Sequence, residues 1–133
     1  MTKAMTKSSK DLIAEAEAVV PCTTVADALA AQARPKTKFI DLRVIREVER
    51  TGTIDGAFSC PRGMLEFWID PESPYHKPIF ASDRRFIFYC DNGWRSALAA
   101  KTAMEMGLQK VSYLQGGFEA WIAAGGAAAP YRW

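Results

Sequence analysis

The sequence predicts an α/β fold, an open parallel sheet of about five strands with helices on both faces. Two observations carry that expectation. Short apolar runs alternate along the chain with stretches of helical period, the pattern of strands joined by crossover helices. One run, Phe86 to Tyr89, is apolar at every position and bounded by charge, which suits a strand covered on both faces. There are no internal repeats.

Taken in order, residues 1–8 are short and polar and should fray. Ser9 or Lys10 to Val19 reads as an amphipathic helix with Leu12, Ile13, Ala16 and Val20 along one side. It is expected to pack on its own domain, with a homodimer as the other use for that face. Val20 to Thr23 is extended, and Thr24 caps a helix from Val25 to about Ala33, ended by Pro35. Lys38 to Arg43 is a strand and Val44 to Arg50 a short helix. Thr53 to Ala57 turns into a strand through Phe58, Ser59 and Cys60, and Pro61 opens a helical turn through Met64 to Trp68. Pro71 to Ser82 reads as loop. After the Phe86–Tyr89 strand and a polar loop, a helix runs from Ala97, with Ala97, Ala100 and Met104 on one face and Gly107 closing it. Val111 to Leu114 is a further strand, Gly117 to Ala123 a final helix, and Gly125 to Pro130 a loose tail. The implied organisation is an N-terminal extension over 1–19, one domain over 20–127 and a loose tail over 128–133.

Composition narrows the function classes. At 133 residues the chain can build one proper core, and 49% hydrophobic with 24% charged residues is ordinary for a globular protein. A net charge of +2 speaks against a nucleic-acid binder, and no apolar run approaches the ~20 residues of a membrane span. The amino terminus lacks a secretory apolar core, and Asp11, Glu15 and Glu17 speak against a transit peptide, so a cytoplasmic location is expected. Three scattered cysteines, Cys22, Cys60 and Cys90, form neither a disulfide framework nor a zinc site. The lone histidine, His76, sits in a Pro-rich stretch and reads as an exposed loop residue.

The stretch with chemistry in it is Cys90-Asp91-Asn92-Gly93-Trp94-Arg95-Ser96. A thiol at the carboxyl end of a parallel strand, facing a helix amino terminus, meets unpaired N–H groups and the positive end of the helix dipole. Such a cysteine should lose its proton readily and act as a nucleophile. Gly93 lets the loop amides turn inward as an anion nest, Arg95 adds a fixed positive charge, and Ser96 can donate to a thiolate or cap the helix.

This loop resembles the Cys-x-x-Gly-x-Arg-Ser active-site loop of the rhodanese family of sulfurtransferases. Four residues separate Cys90 from Arg95; related phosphatases have five, and their wider loop holds a tetrahedral phosphate. Three further pieces match the family pattern in the right order. Asp41-Leu42-Arg43 resembles its Asp-x-Arg strand end, and Gly52 to Ala57 its Gly-His-Ile-x-Gly-Ala turn, with Thr53 in place of the histidine. Gly116-Gly117-Phe118-Glu119-Ala120-Trp121 resembles the motif that begins its last helix. The resemblance covers about Val20 to Gly126. Asp91 stands where the family often has a basic residue, which weakens attraction for a dianionic donor such as thiosulfate.

The resemblance implies a rhodanese-like sulfurtransferase. Cys90 would take a sulfane sulfur from a small donor such as thiosulfate or a persulfide, cradle it as a persulfide within Asp91 to Ser96, and pass it to a thiophilic acceptor, small molecule or protein thiol. No cofactor or metal is required. Asp41, Arg43, Arg46, Glu47 and Arg62 are supporting or pocket candidates, with Leu65, Phe67 and Trp94 as apolar wall. Cys60 ends a strand on the same rim and reads first as a small core residue, second as a resolving thiol. Rival classes are a cysteine phosphatase or arsenate reductase, and a non-catalytic persulfide carrier or interaction module.

Overall fold

The computed structural model describes residues 4–131. Five parallel strands form one sheet in the order β1-β5-β4-β2-β3. They are β1 (Cys22–Thr23), β2 (Thr37–Asp41), β3 (Phe58–Ser59), β4 (Arg85–Tyr89) and β5 (Val111–Leu114). β4 lies in the middle, flanked by β2 and β5, which is why its run is apolar on both sides.

Helices cover both faces. On one face α1 (Ser9–Val19), α4 (Leu65–Ile69) and α5 (Trp94–Glu105) pack Ala16, Leu65, Ile69, Ala97, Ala100 and Ala103 against Ile40, Leu42, Phe86 and Phe88. On the other, α2 (Val25–Ala31) and α6 (Gly117–Ala123) set Ala28, Ala31, Phe118 and Trp121 on Phe39, Ile87, Tyr89 and Leu114. The remaining helix, α3 (Ile45–Thr51), links β2 to β3. The sheet is therefore the doubly covered α/β architecture that its sequence pattern calls for.

Local chemistry accounts for the element ends. Ser8 and Asp11 form a reciprocal capping box at the start of α1, and the Asp27 N–H donates to Thr24 Oγ1 at the start of α2. α1 docks on α5 through Ala16 and Val20, both buried, whereas Leu12 stays 43% exposed. The helix thus packs on its own domain.

Several expectations need correction. β2 stops at Asp41: the Leu42 N–H still donates to the Tyr89 carbonyl at 2.9 Å, but the Arg43 N–H leaves the ladder for Asp41 Oδ1 at 3.1 Å. α5 begins at Trp94 rather than Ala97, since Gly93 takes a left-handed backbone at the helix start. The stretch read as loop holds a 3-10 turn at Pro78–Ala81 that buries Phe80 against Phe58 and Phe86. His76 is half-buried, its Nδ1 covered and without a hydrogen-bond partner. The tail is not loose as far as Ala129. Trp121 Nε1 donates to the Ala127 carbonyl at 2.9 Å, and Ala129 exchanges two backbone hydrogen bonds with Thr53, at 2.9 and 2.7 Å. A buried indole N–H needs an acceptor, and the tail supplies it. The frayed start and the tail's last two residues lie partly or wholly outside the described residues.

Candidate active site

Cys90 follows β4 at the carboxyl edge of the sheet, the side on which open α/β sheets bind ligands. The loop bends back at once into α5, so the thiol faces that helix's first turn. The Gly93 N–H donates to Cys90 Sγ at 3.1 Å, and Ser96 Oγ lies 3.5 Å from the same sulfur. Ser96 Oγ in turn donates to the Gly93 carbonyl at 3.2 Å. As a thiol, Cys90 can donate a hydrogen bond to the serine oxygen; once the sulfur is ionised, the hydroxyl can rotate and donate to it. Gly93 has φ +104°, a backbone that side-chain-bearing residues resist, and this is what turns its N–H onto the sulfur.

The other loop amides divide into two groups. The Trp94 N–H is taken by Asn92 Oδ1 at 3.1 Å. Those of Asp91, Asn92, Arg95 and Ser96 have no acceptor among the described residues, leaving several loop N–H groups for an anion. From below, the first amides of α6 fix the loop: Phe118 N donates to the Cys90 carbonyl at 2.8 Å and Glu119 N to the Asp91 carbonyl at 3.1 Å. Gly117 makes that approach possible, because a Cβ there would lie 2.6 Å from the Asp91 carbonyl oxygen and 2.7 Å from that of Cys90.

Arg95 is half-buried and paired. Its Nη1 and Nη2 donate to the two carboxylate oxygens of Glu47 on α3, at 2.7 and 2.9 Å. The hydrogen bond to Glu47 holds Arg95 well above its ordinary pKa, and the same bond holds the Glu47 carboxyl below its usual value.

Asp41 and Arg43 lie across the sheet from the thiol. Arg43 donates to Asp41 through Nε at 3.0 Å and Nη2 at 2.8 Å, and to Thr51 Oγ1 and the Gly52 carbonyl, each at 2.7 Å. Its guanidinium stacks over Phe118, 4.3 Å from the ring centroid. Burial opposes the Arg43 charge, and the bonds and attraction from Asp41 outweigh it, so its pKa is raised. The Tyr89 hydroxyl donates to Asp41 Oδ2 at 2.8 Å, accepts from Ile54 N–H at 3.1 Å and sits 2.6 Å from Thr53 Oγ1. One buried cluster thus ties the end of β2, the turn after α3 and the residue before Cys90. It fixes the strand end that presents the thiol and makes no contact with the sulfur among the interactions described.

The remaining candidates lie elsewhere. Arg46 is exposed and makes no ion pair among the described residues. Arg62 pairs with Glu66 at 3.0 Å and reaches Thr102, two turns along α5 from the loop. Leu65 is fully buried in the core, Phe67 is 52% exposed, and Trp94, 61% exposed, borders a groove beside Ile13 and Ala14 of α1. Cys60 is buried, its thiol pushed up to about 12 by that burial, and no partner thiol faces it. Sequence reasoning missed Tyr89 and the contact of Gly117 with the loop. The signal for Tyr89 was available: it is the one polar-tipped side chain in the Phe86–Tyr89 run, and a buried phenol needs a partner.

The rhodanese-like domain model matches residues 24–124 of the chain. The chain belongs to the rhodanese-like domain family. Among solved structures it is similar to a Rhodopseudomonas palustris protein of unknown function described as a possible tyrosine phosphatase. That protein is 50% identical at a TM-score of 0.93, over 97% of this chain and 99% of the other. A thiosulfate sulfurtransferase from Pseudomonas aeruginosa is 24% identical at a TM-score of 0.70, over 93% of this chain and 23% of that one. The human single-domain sulfurtransferase is 22% identical at a TM-score of 0.67, over 77% and 96% of the two chains. At those identities the two sulfurtransferases speak for the rhodanese-like fold. No curated protein matches the chain.

Proposed function

We propose that this rhodanese-like domain is a sulfurtransferase that carries a sulfane sulfur on Cys90. The observation that carries the reading is the Cys90 sulfur itself, held by the Gly93 N–H at 3.1 Å with Ser96 Oγ 3.5 Å away, in a tight loop several of whose amides have no acceptor among the described residues. The ionised sulfur attacks the outer sulfur of the donor. A new S–S bond forms on Cys90, the donor's own bond to that sulfur breaks, and the donor leaves with the electron pair, as sulfite from thiosulfate or a thiolate from a persulfide. A thiophilic acceptor then attacks the outer sulfur and releases Cys90 as thiolate. Two half-reactions sharing one covalent intermediate give ping-pong kinetics. Because Cys90 has no exposed surface, a donor reaches it only after the covering side chains give way. The donor is a small compound carrying a sulfane sulfur, the acceptor is a small thiophile or a protein thiol, and the chemistry calls for no cofactor.

A second reading, cysteine phosphatase, is favoured by the description of the Rhodopseudomonas palustris protein. Against it stand the four residues between Cys90 and Arg95 and the pairing of both Arg95 Nη groups with Glu47, which takes two of the guanidinium's five N–H donors and offsets its charge. Turnover with thiosulfate and cyanide, set beside hydrolysis of an aryl phosphate, separates the two. Sulfur transfer should dominate and be lost in Cys90→Ser. Cys90-dependent phosphate release that exceeds sulfur transfer would reverse the assignment.

A further inference from the structure

Glu47 lies outside the Cys90 loop yet controls the charge at its mouth. It sits on α3, where its Oε1 also accepts from the Val44 N–H at 3.3 Å. Its carboxylate takes both Nη groups of Arg95 in a parallel pair. The two side chains are 27% and 38% exposed, so water and salt screen them less than a fully exposed pair. The other cations nearby do not replace Arg95. Arg43 is buried on Asp41, and Arg46, the residue before Glu47, is exposed with no ion pair among the described residues. Asp91, half-buried, is second in the loop and has no ion pair either. The loop thus presents its amides together with two carboxylates and one neutralised guanidinium.

We infer that Glu47 is a specificity-determining residue: by holding Arg95 it turns the loop mouth against dianionic sulfur donors and in favour of donors carrying a single negative charge or none. The inference rests on the sulfurtransferase reading above. A thiosulfonate and thiosulfate deliver the same outer sulfur. In the first case the S–S bond to the sulfonyl sulfur breaks and a sulfinate monoanion leaves with the electron pair; in the second the leaving group is sulfite dianion. Charge is conserved in both, and the pair differs at the mouth by one unit of negative charge. Repulsion of the wrong donor is a usual route to specificity.

The test compares rates of Cys90 persulfide formation with thiosulfate and with methanethiosulfonate, in the wild-type protein and in Glu47→Gln. Leaving-group differences cancel when the ratio of the two rates is compared between proteins. Glu47→Gln removes one carboxylate and frees Arg95, so the thiosulfate-to-thiosulfonate ratio should rise about tenfold at low salt. In the wild-type protein the thiosulfate rate should rise with ionic strength, because salt screens like-charge repulsion; steering by the net charge of +2 alone would give the opposite slope. That slope also decides the matter should Glu47→Gln fail to fold. A ratio within twofold of wild type, or a thiosulfate rate that falls with salt, overturns the role of Glu47 while leaving sulfur transfer intact. If neither donor loads Cys90 in either protein, the sulfurtransferase reading fails and Glu47's role with it.

Discussion

Replacing Arg43 with Met tests whether the cluster behind Cys90 is a structural clamp. Arg43 is 1% exposed and Asp41 fully buried, so the substitution strands a carboxylate in the interior. Asp41 loses the Nε and Nη2 bonds of Arg43, at 3.0 and 2.8 Å, and keeps the hydroxyls of Tyr89 and Thr53, at 2.8 and 3.1 Å. The Gly52 carbonyl loses its guanidinium donor, and Phe118 loses the cation over its ring. Breaking a buried pair from one side costs about 3–5 kcal/mol. That is a large part of the ~5–15 kcal/mol that holds a domain together. Urea unfolding should show the midpoint falling by about 2 M with little change in slope. Asp41→Asn combined with Arg43→Met removes both charges and should recover part of the loss, since Asn can still accept from the two hydroxyls. A single variant within about 1 kcal/mol of wild type, or a double variant no better than the single, would show that the pair does not act as this clamp.

Two further outcomes follow from named contacts. Burial raises the Cys60 thiol from 9.0 to about 12, so the folded protein keeps a proton that the unfolded chain releases. Its contribution to stability is complete below pH 9.0 and declines as pH rises to about 12, by up to ~4 kcal/mol. Unfolding midpoints across that range should fall more steeply for the wild type than for Cys60→Ala, and equal slopes would refute the assignment. Gly117→Ala puts a Cβ 2.6 Å from the Asp91 carbonyl oxygen at a φ of +65°, so it should displace the loop and lower Cys90 persulfide formation more than tenfold, at a stability cost of about 1–3 kcal/mol. Wild-type loading in a folded Gly117→Ala protein would show that α6 does not position the loop.

The parts of the fold that are legible in the sequence rest on local pattern. The all-apolar β4 run, the Thr24 cap and the Ala-rich α5 each show themselves within a few residues. The Cys90 loop was legible for the same reason, as a strand end, a glycine and a helix start fall in seven consecutive residues. What stayed hidden depends on contacts between distant segments. The tail is pinned because Trp121 needs an acceptor at Ala127 and Thr53 pairs with Ala129. The loop shows Arg95 as a fixed positive charge, but not its partner Glu47, which lies 48 residues away. Arg62 is a pocket candidate in the sequence, yet its partners Glu66 and Thr102 draw it along α5. Charged side chains are long and flexible, and position along the chain does not fix where they point.

The most direct test of the central claim is intact mass and peptide mapping after brief incubation with a thiosulfonate or thiosulfate donor. The account predicts a gain of one sulfur atom on the peptide carrying Cys90, reversed by cyanide, absent in Cys90→Ser and retained in Cys22→Ser and Cys60→Ser. Sulfur on Cys22 or Cys60 in its place, or no gain on Cys90 with any donor, would contradict it.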